Sequence, residues 1–198
     1  NILNLKFIIS ETEKSFVEKI NIYGNNVTVE TVIRNQLLVD EGDPFNEILT
    51  TKSINNIKSL NFFKDVKSEI IEGSSKDRKI INISVKEKPT GEITAGAGFG
   101  TTGSSFMLGV KENNFLGKGI SLDSNLNLST ETVKGKFKVE NKNYKNSDKS
   151  LYLVVDASET DRLTNSGYKF NKTGFEIGSG FEYYDDLFLR IGTSNYYE

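Results

Sequence analysis

Cysteine and histidine are both absent from the 198 residues of this chain. Without cysteine the chain has no disulfide, thiolate metal site or cysteine nucleophile, and without histidine it lacks the usual general base and the commonest metal ligand. These absences count against an enzyme from the start, because the usual catalytic and metal-binding side chains are missing. The formal net charge is only −2, so no nucleic-acid partner is expected.

Long hydrophobic runs are missing as well. No apolar run approaches the roughly 18 residues that a membrane-spanning helix requires, which excludes such a helix but not membrane-spanning strands. The only methionine is Met107, and the first residue is Asn1. We therefore expect the sequence to be part of a longer chain, in which case the missing signal peptide says nothing about location.

The first 88 residues contain both strand and helix patterns. Alternation predicts strands at Phe16–Tyr23 and, as a hairpin, at about 61–71 and 79–88. Apolar residues at helical spacing predict one helix that begins at an N-cap on Thr28 and runs through Leu38, and a second over about 46–60. The order β-α-α-β-β indicates a small α+β domain at residues 15–88, preceded by one alternating strand within residues 1–14.

From Gly91 onward, about seven runs of roughly ten residues alternate between apolar and polar side chains. In the clearest run, which begins at Ile120, leucines share one side while serine, aspartate and asparagine share the other. A soluble sandwich gives this pattern, with its polar residues facing water. A transmembrane barrel gives it too, with apolar residues facing lipid, so the pattern alone favours neither.

The first of these runs, GEITAGAGFGTTG, is rich in glycine at Gly96, Gly98 and Gly100. It contains G-x-G-x-x-G, but a dinucleotide-binding loop needs a following helix, and the next residues alternate like a strand. Glycine weakens a strand because it packs nothing and costs conformational entropy. The glycines serve either to keep this strand weak and easily opened or to make room for neighbouring bulky side chains.

Four segments resemble one known family. The segment LNFFKDV from Leu60 to Val66 resembles a POTRA domain, and INIYGNNVTVETVIRNQLLVDEGDPF resembles the opening strand and helix of that module. The segments VKEKPTGEITAGAGFGT and GVKENNFLGKGISLDSNLNLS resemble the first barrel strands of outer-membrane barrel-assembly factors. The resemblance implies an α+β POTRA domain (β-α-α-β-β) followed by an antiparallel, partial transmembrane β-barrel of about seven strands. Its expected domains are the end of a preceding POTRA domain at 1–14, a POTRA domain at 15–88 and the N-terminal part of the barrel at 91–198.

This family resemblance also implies a function: assembly and insertion of β-barrel proteins into the outer membrane, with the POTRA domain in the periplasm. Expected partners are the outer-membrane lipid bilayer, nascent β-barrel clients and accessory assembly lipoproteins. Clients would add a strand to one of two exposed edges, that is, by β-augmentation. No covalent bond is made or broken in this mechanism, so the resemblance implies a protein that is not an enzyme, with no catalytic residue, no metal site and no cofactor. The barrel seam would comprise Glu92, Ile93, Thr94, Ala95, Gly96, Ala97, Gly98, Phe99 and Gly100. The POTRA edge strand would comprise Phe63, Lys64, Asp65, Val66, Lys67, Ser68, Glu69 and Ile70. The alternatives are a POTRA-barrel polypeptide secretion pore and, from a different class, a soluble β-rich binding protein.

Overall fold

The protein folds as two sheets in sequence, a three-stranded one and a seven-stranded one. The computed structural model describes residues 14–100, 103–184 and 187–198. The strand expected within residues 1–14 therefore lies, except for Lys14, outside the described residues. Among the described residues, no helix is long and apolar enough to cross a membrane.

The α+β domain has the predicted order β-α-α-β-β. Its elements are β1 (Phe16–Tyr23), α1 (Glu30–Arg34), α2 (Glu47–Ser59), β2 (Phe63–Glu72) and β3 (Arg78–Glu87). The central strand β3 runs parallel to β1 and antiparallel to β2. The helices close one apolar core against this sheet, in which Ile20, Ile33, Ile57, Ile81 and Ile83 are almost completely buried.

The first helix is much shorter than the sequence pattern predicts. Helix α1 covers only Glu30–Arg34, its N-cap is Val29, and no side chain caps it. The prediction of a Thr28 cap and a helix through Leu38 is therefore wrong. The hydroxyl of Thr28 accepts a hydrogen bond from the distant Asn114 side chain instead, and tight turn bonds after Arg34, such as Leu37 N to Arg34 O, end the helix.

The second helix follows its pattern closely. The side chain of Asn46 caps α2 by accepting hydrogen bonds from the backbone N–H groups of Ile48 and Leu49. Ile54 and Ile57 face the core, whereas Ile48 lies exposed in the first turn. A strong local cap and a long apolar stripe thus made this helix readable from sequence.

Residues 91–198 form one open antiparallel sheet in which every strand pairs with its neighbours in sequence. The strands are β4 (Gly91–Gly100), β5 (Gly103–Phe115), β6 (Ile120–Ser129), β7 (Thr132–Asn141), β8 (Lys149–Arg162), β9 (Tyr168–Tyr184) and β10 (Leu187–Tyr197). Short helical turns at Tyr144–Asn146 and Leu163–Ser166 lie in two of the connections. A single sheet is not a sandwich, which needs two packed sheets, so the prediction of a partial barrel is confirmed and the sandwich alternative is wrong.

The strand register separates an apolar from a polar side of this sheet. Leu122 lies opposite Val139, and the next pair, Asp123 opposite Lys138, lies on the other side. On that polar side, Arg190 of β10 reaches Glu140 of β7 with 3.1 Å between nitrogen and oxygen. A contact between strands so far apart requires this side to be concave. We therefore call the polar side the inner face and the apolar side the outer face.

Candidate strand-pairing edges and the joint between the domains

The residues predicted to form the barrel seam, Glu92 to Gly100, lie in the edge strand β4. Within the described part of the chain, β4 pairs with β5 alone, so its other edge presents backbone N–H and C=O groups without a strand partner. On the outer face, Ile93 is 76% exposed and Phe99 is 90% exposed. An exposed strand edge of this kind is a ready template for another extended chain.

The glycines of β4 border open space on the inner face. A Cβ atom at Gly100 would meet nothing within 4 Å, and one at Gly96 would meet only the terminal carbon of Met107 at 3.7 Å. At Gly98 it would lie 3.1 Å from the hydroxyl of Ser105. No described side chain therefore needs the space that Gly96 and Gly100 leave, which favours the weak strand over the room-making alternative.

Glycines of β9 and β10, on the same inner face but near the other edge of the sheet, have a different role. A Cβ atom at Gly178 or at Gly192 would lie 2.5 Å from the hydroxyl of Tyr152, and one at Gly174 would lie 2.2 Å from the ring of Tyr196. These glycines accommodate tyrosine rings that lie flat on the inner face. Tyr152 is consequently only 4% exposed.

Tyr152 is also the centre of a network that crosses four strands. Its hydroxyl donates a 2.7 Å hydrogen bond to Glu176, and the guanidinium of Arg190 stacks 3.8 Å from the centre of its ring. Arg190 pairs with Glu140, and Glu140 pairs with Lys138 at 2.6 Å. This network holds the wall together from β7 to β10. This network is not predicted from the sequence, although a tyrosine on the polar face beside recurrent glycines is a signal that could have indicated the packing.

The α+β domain has one covered edge and one uncovered edge. The covered edge is β1, where Val17 N donates to Asp43 O and Gly42 N donates to Val17 O. Side chains also bind the backbone of Ile20 in this strand: its N–H donates to Glu41, and its C=O accepts from Arg34. An incoming strand would have to displace these bonds.

The uncovered edge is β2, which contains the second predicted pairing segment, Phe63 to Ile70. Within the described residues β2 pairs only with β3. Phe63 and Val66 anchor the strand in the core, while the other side chains of the segment are exposed. Of the two edge strands of this domain, β1 has its free edge covered by residues 41–43, whereas β2 has no strand partner on its free edge within the described residues.

A joint connects the two sheets at the end of the barrel wall nearest to the α+β domain. We use the name for residues 27–29 and 87–90 together with residues 112–119, the end of β5 and the turn that follows it. The buried amide of Asn114 donates to the hydroxyl of Thr28 at 2.9 Å and accepts from Gly119 N at 2.7 Å. Val29 N donates to Gly117 O at 2.8 Å. The turn therefore binds the loop before α1 through both side chain and backbone.

Glu87 holds the same loop from the other side. Its carboxylate accepts from Val27 N at 3.0 Å and from Thr28 N at 2.7 Å. Burial raises the pKa of Glu87, but hydrogen bonds from the Thr28 hydroxyl and from backbone N–H groups of the loop outweigh it, so the pKa is lowered overall. The ionised carboxylate is thus part of the joint at neutral pH.

The joint also includes the base of the edge strand. Thr90, directly before β4, donates its hydroxyl hydrogen to Glu112, and the same carboxylate oxygen accepts from Asn114 N at 2.8 Å. Asn113 donates to Thr90 O from its backbone and its side chain, at 3.3 Å and 3.1 Å. Hydrogen bonds therefore connect the loop before α1, the β5–β6 turn and the first residue before β4.

A cleft of about 1090 Å³ lies between the α+β domain and the inner face. Val29, Leu38 and Phe62 line it on the domain side, and Lys111 and Glu140 line it on the sheet side. Within the described residues, no group of three or more acidic side chains is arranged to hold a metal ion. The candidate functional surfaces are the free backbone edges of β2 and β4, together with the joint.

Comparison with known proteins gives consistent matches for both parts of the chain. Residues 15–88 match the POTRA family, described as a surface antigen variable number repeat. The outer membrane protein assembly factor BamA of Neorickettsia risticii is 28% identical over 195 residues, 97% of this chain and 26% of that protein. A putative outer membrane protein assembly factor of Treponema pallidum is 33% identical over 135 residues, 65% of this chain and 16% of that protein. The chain thus spans about a quarter or less of the length of these relatives.

Solved structures share the fold at lower identity. BamA from Haemophilus ducreyi lacking POTRA domains 1-3 matches with a TM-score of 0.78 at 24% identity, over 92% of this chain and 35% of that one. CdiB from Acinetobacter baumannii matches with a TM-score of 0.52 at 14% identity, over 84% of this chain and 33% of that one. At 92% and 84% of this chain, the two matches each extend over parts of both the α+β domain and the open sheet.

Proposed function

Since the chain is BamA-like, with a POTRA domain at residues 15–88 followed by the first strands of a barrel, we propose that it belongs to a protein that assembles and inserts β-barrel proteins into the outer membrane. The barrel strands span that membrane, and the POTRA domain lies in the periplasm. The partners are the lipid bilayer, nascent β-barrel clients and accessory assembly lipoproteins.

One observation carries this proposal: β4 is an edge strand with two glycines whose space no described side chain requires. Gly96 and Gly100 border open space, while other glycines of the same sheet are required by tyrosine rings. Glycine in a strand lowers the cost of bending and opening it. The β4 edge therefore suits a strand that must exchange one partner for another.

The mechanism is recognition of backbone by backbone. A client strand first adds to β2 of the POTRA domain and then to β4 in the membrane, where its N–H and C=O groups pair with those of residues 92–100. Side-chain sequence matters little to such pairing, so one edge serves many clients. In lipid an unpaired backbone group is costly, and pairing with β4 removes that cost while the client closes. No covalent bond forms or breaks, so the function requires neither a catalytic residue nor a cofactor.

A polypeptide secretion pore is the second candidate, because the likeness in fold extends to CdiB. A pore needs an open lumen inside a wall that stays closed. The weak β4 edge favours assembly over secretion, since a permanently closed wall has no need of a strand that separates easily. The covered edge of β1 beside the uncovered edge of β2 also favours a protein that accepts strands.

The test is a reversible staple across the seam of the full-length protein. One cysteine replaces Thr94 or Gly96, and a second is placed on the strand that faces β4 in the closed barrel, at a distance that suits a disulfide. Insertion of a client into lipid vesicles is then measured with and without reductant. We expect oxidation to stop insertion and reduction to restore it.

A matched staple within the wall provides the control. Residues 125 and 136 lie directly opposite each other on β6 and β7, so cysteines there cross-link strands that never separate in this mechanism. This control should leave insertion unchanged in both redox states. Full insertion by the seam-stapled protein, with the cross-link demonstrated on a gel, would refute the proposal.

A further inference from the structure

We propose that Met107 of β5 makes the edge strand β4 selective, by contacting an aromatic side chain that a client strand directs to the inner face opposite Gly96. This inference deepens the proposed function and rests on it, because it assumes that clients pair with β4. It adds a side-chain preference, for tyrosine or phenylalanine at one inward position, to a recognition that otherwise depends on backbone groups.

The first step concerns the place of Met107, the only methionine of the chain. It lies directly opposite Gly96 of β4 on one side and Asn127 of β6 on the other, so it belongs to the polar inner face. Its side chain is nevertheless apolar and 42% exposed. Methionine is flexible and polarisable, contacts aromatic rings favourably and is frequent at surfaces that bind many different partners.

The second step concerns the space beside this side chain. Met107 lines a depression of about 470 Å³ on the inner face, whose border at the edge of the sheet is formed by Gly96 and Gly98. A Cβ atom at Gly96 would lie 3.7 Å from the terminal carbon of Met107. Since glycine has no side chain, β4 does not separate the depression from a strand that pairs with its free edge. A long side chain on that strand can therefore extend across Gly96 to Met107.

The third step is that the same sheet already contains this arrangement near its other edge. Tyr152 of β8 lies directly opposite Gly178 of β9, and Gly178 lies directly opposite Gly192 of β10. The ring of Tyr152 extends across both glycines, because a Cβ atom on either would lie 2.5 Å from its hydroxyl. Tyr196 covers Gly174, the residue opposite it, in a similar way. An inward ring on one strand thus covers a glycine on the next strand and reaches the strand beyond.

The fourth step identifies the strand that supplies the ring. Applied to β4, this geometry places an aromatic ring of the paired strand over Gly96, with its end against Met107, and aromatic contacts of this kind stabilise strand pairs. A ring on the strand that closes this barrel would hold the seam shut, as Tyr152 holds β8, β9 and β10 together. A seam that has to open therefore leaves the depression to the client, and a client with a ring at this position displaces the closing strand more readily.

The test uses two versions of one client, an eight-stranded outer-membrane barrel, with the full-length protein in lipid vesicles. A cysteine replaces Thr94, which shares the inner face with Gly96, and any other cysteine of the full-length protein is removed. A single cysteine is moved along the client until the disulfide yield is highest, which identifies the client residue opposite Thr94. In an antiparallel pair the residue opposite Gly96 lies two positions earlier in the client. It is tyrosine in one version and alanine in the other.

The two versions compete in equal amounts, and mass spectrometry gives the ratio of their disulfide-linked products. We expect about five tyrosine products for each alanine product, since cross-strand contacts of an aromatic side chain favour pairing by about that factor. Met107→Ala should lower the ratio to less than about two. Leu108→Ala is the matched control, because Leu108 is the next residue of the same strand and lies on the outer face. It should leave the ratio near five.

A ratio near one with Met107 present, or a ratio near five that Met107→Ala does not change, would overturn this inference while pairing with β4 stands. A higher yield of both products from Met107→Ala, at an unchanged ratio, would overturn it by showing that the closing strand carries the ring. If Met107→Ala does not give a folded barrel, the same criteria apply to Met107→Gln, which keeps the length of the side chain but makes its end polar. The absence of both products would refute pairing with β4, and with it both this inference and the proposed mechanism.

Discussion

Replacing Gly96 by valine should slow client insertion because it strengthens the strand that has to open. The structure leaves room for the change, since the new Cβ atom would meet only Met107 at the ordinary contact distance of 3.7 Å. Valine loses less conformational entropy than glycine in a strand and packs better on the pleated surface. Together these effects favour the paired strand by about 1 kcal/mol. At 1.4 kcal/mol for a factor of ten, the open fraction of β4 should fall about fivefold, and insertion should slow by the same factor.

Gly135→Val provides the control for this substitution. Gly135 lies on β7, and a Cβ atom there would meet nothing within 4 Å, so this site has room for valine as well. The strand has a partner on both sides, so the same stabilisation acts where no opening is proposed. We expect less than about a twofold change in insertion for this variant.

The assay is the initial rate at which a client becomes protease-resistant in vesicles that contain the full-length protein. Both variants are first checked for a folded barrel by heat-modifiable migration on a gel. Equal slowing by the two substitutions would show that general stiffness, and not opening of β4, limits the rate. An unchanged rate in Gly96→Val, with its barrel more stable than the wild type, would refute the reasoning as a whole.

Four further predictions concern the two parts of the chain. Residues 15–88 alone should unfold in one cooperative thermal transition, because their buried residues close a single core; a broad, featureless melt would contradict this. In that domain Ile57→Ala, at a completely buried site, should lower the free energy of unfolding in urea by about 2–5 kcal/mol, whereas Ile48→Ala, at an exposed site, should change it by less than about 0.5 kcal/mol. Residues 91–198 alone should show no heat-modifiable migration in detergent, because β4 and β10 lack partners on their outer edges within the described sheet. The pKa of Glu87 is lower in the folded state, so the stability that its ionised carboxylate contributes is present above the ordinary glutamate pKa and is lost as the pH falls from that value toward the folded pKa. The melting temperature of the Glu87→Gln domain should therefore fall less in acid than that of the wild type. An equal fall in both would contradict the role given to Glu87.

Local signals explain which elements could be predicted from the sequence. Helix α2 has a capping asparagine and a long apolar stripe, and its predicted ends differ from the structure by about one residue. The barrel strands alternate regularly, and each pairs with its neighbour in sequence, so their order needed no long-range information. The prediction of helix α1 was wrong because Thr28, a residue type that often caps helices, is hydrogen-bonded to a residue 86 positions away.

The joint and the inner-face network could not be predicted from the sequence for the same reason, since both depend on contacts between distant residues. In the sequence, Asn114 is one of several polar residues near a turn. It is buried because the turn packs against the α+β domain, which no local pattern indicates. Arg190 meets Glu140 because the sheet curves, and curvature has no local signature in these strands. The two strand-pairing segments were predicted from resemblance and stay predictions, although the structure places both on sheet edges.

The two kinds of glycine in this sheet should also leave different traces over evolutionary time. Substitution at Gly178 or Gly192 is opposed both by the tyrosine that covers them and by a backbone oxygen of the paired strand, at 2.6 Å and 3.0 Å, so a change at Tyr152 alone would not permit it. Gly96 and Gly100 have no such obstacle and could be replaced in a single mutational step without a clash. If relatives nevertheless retain small residues at these two positions while varying their neighbours, selection must be acting on the ease of separating the strand, since folding alone does not demand it.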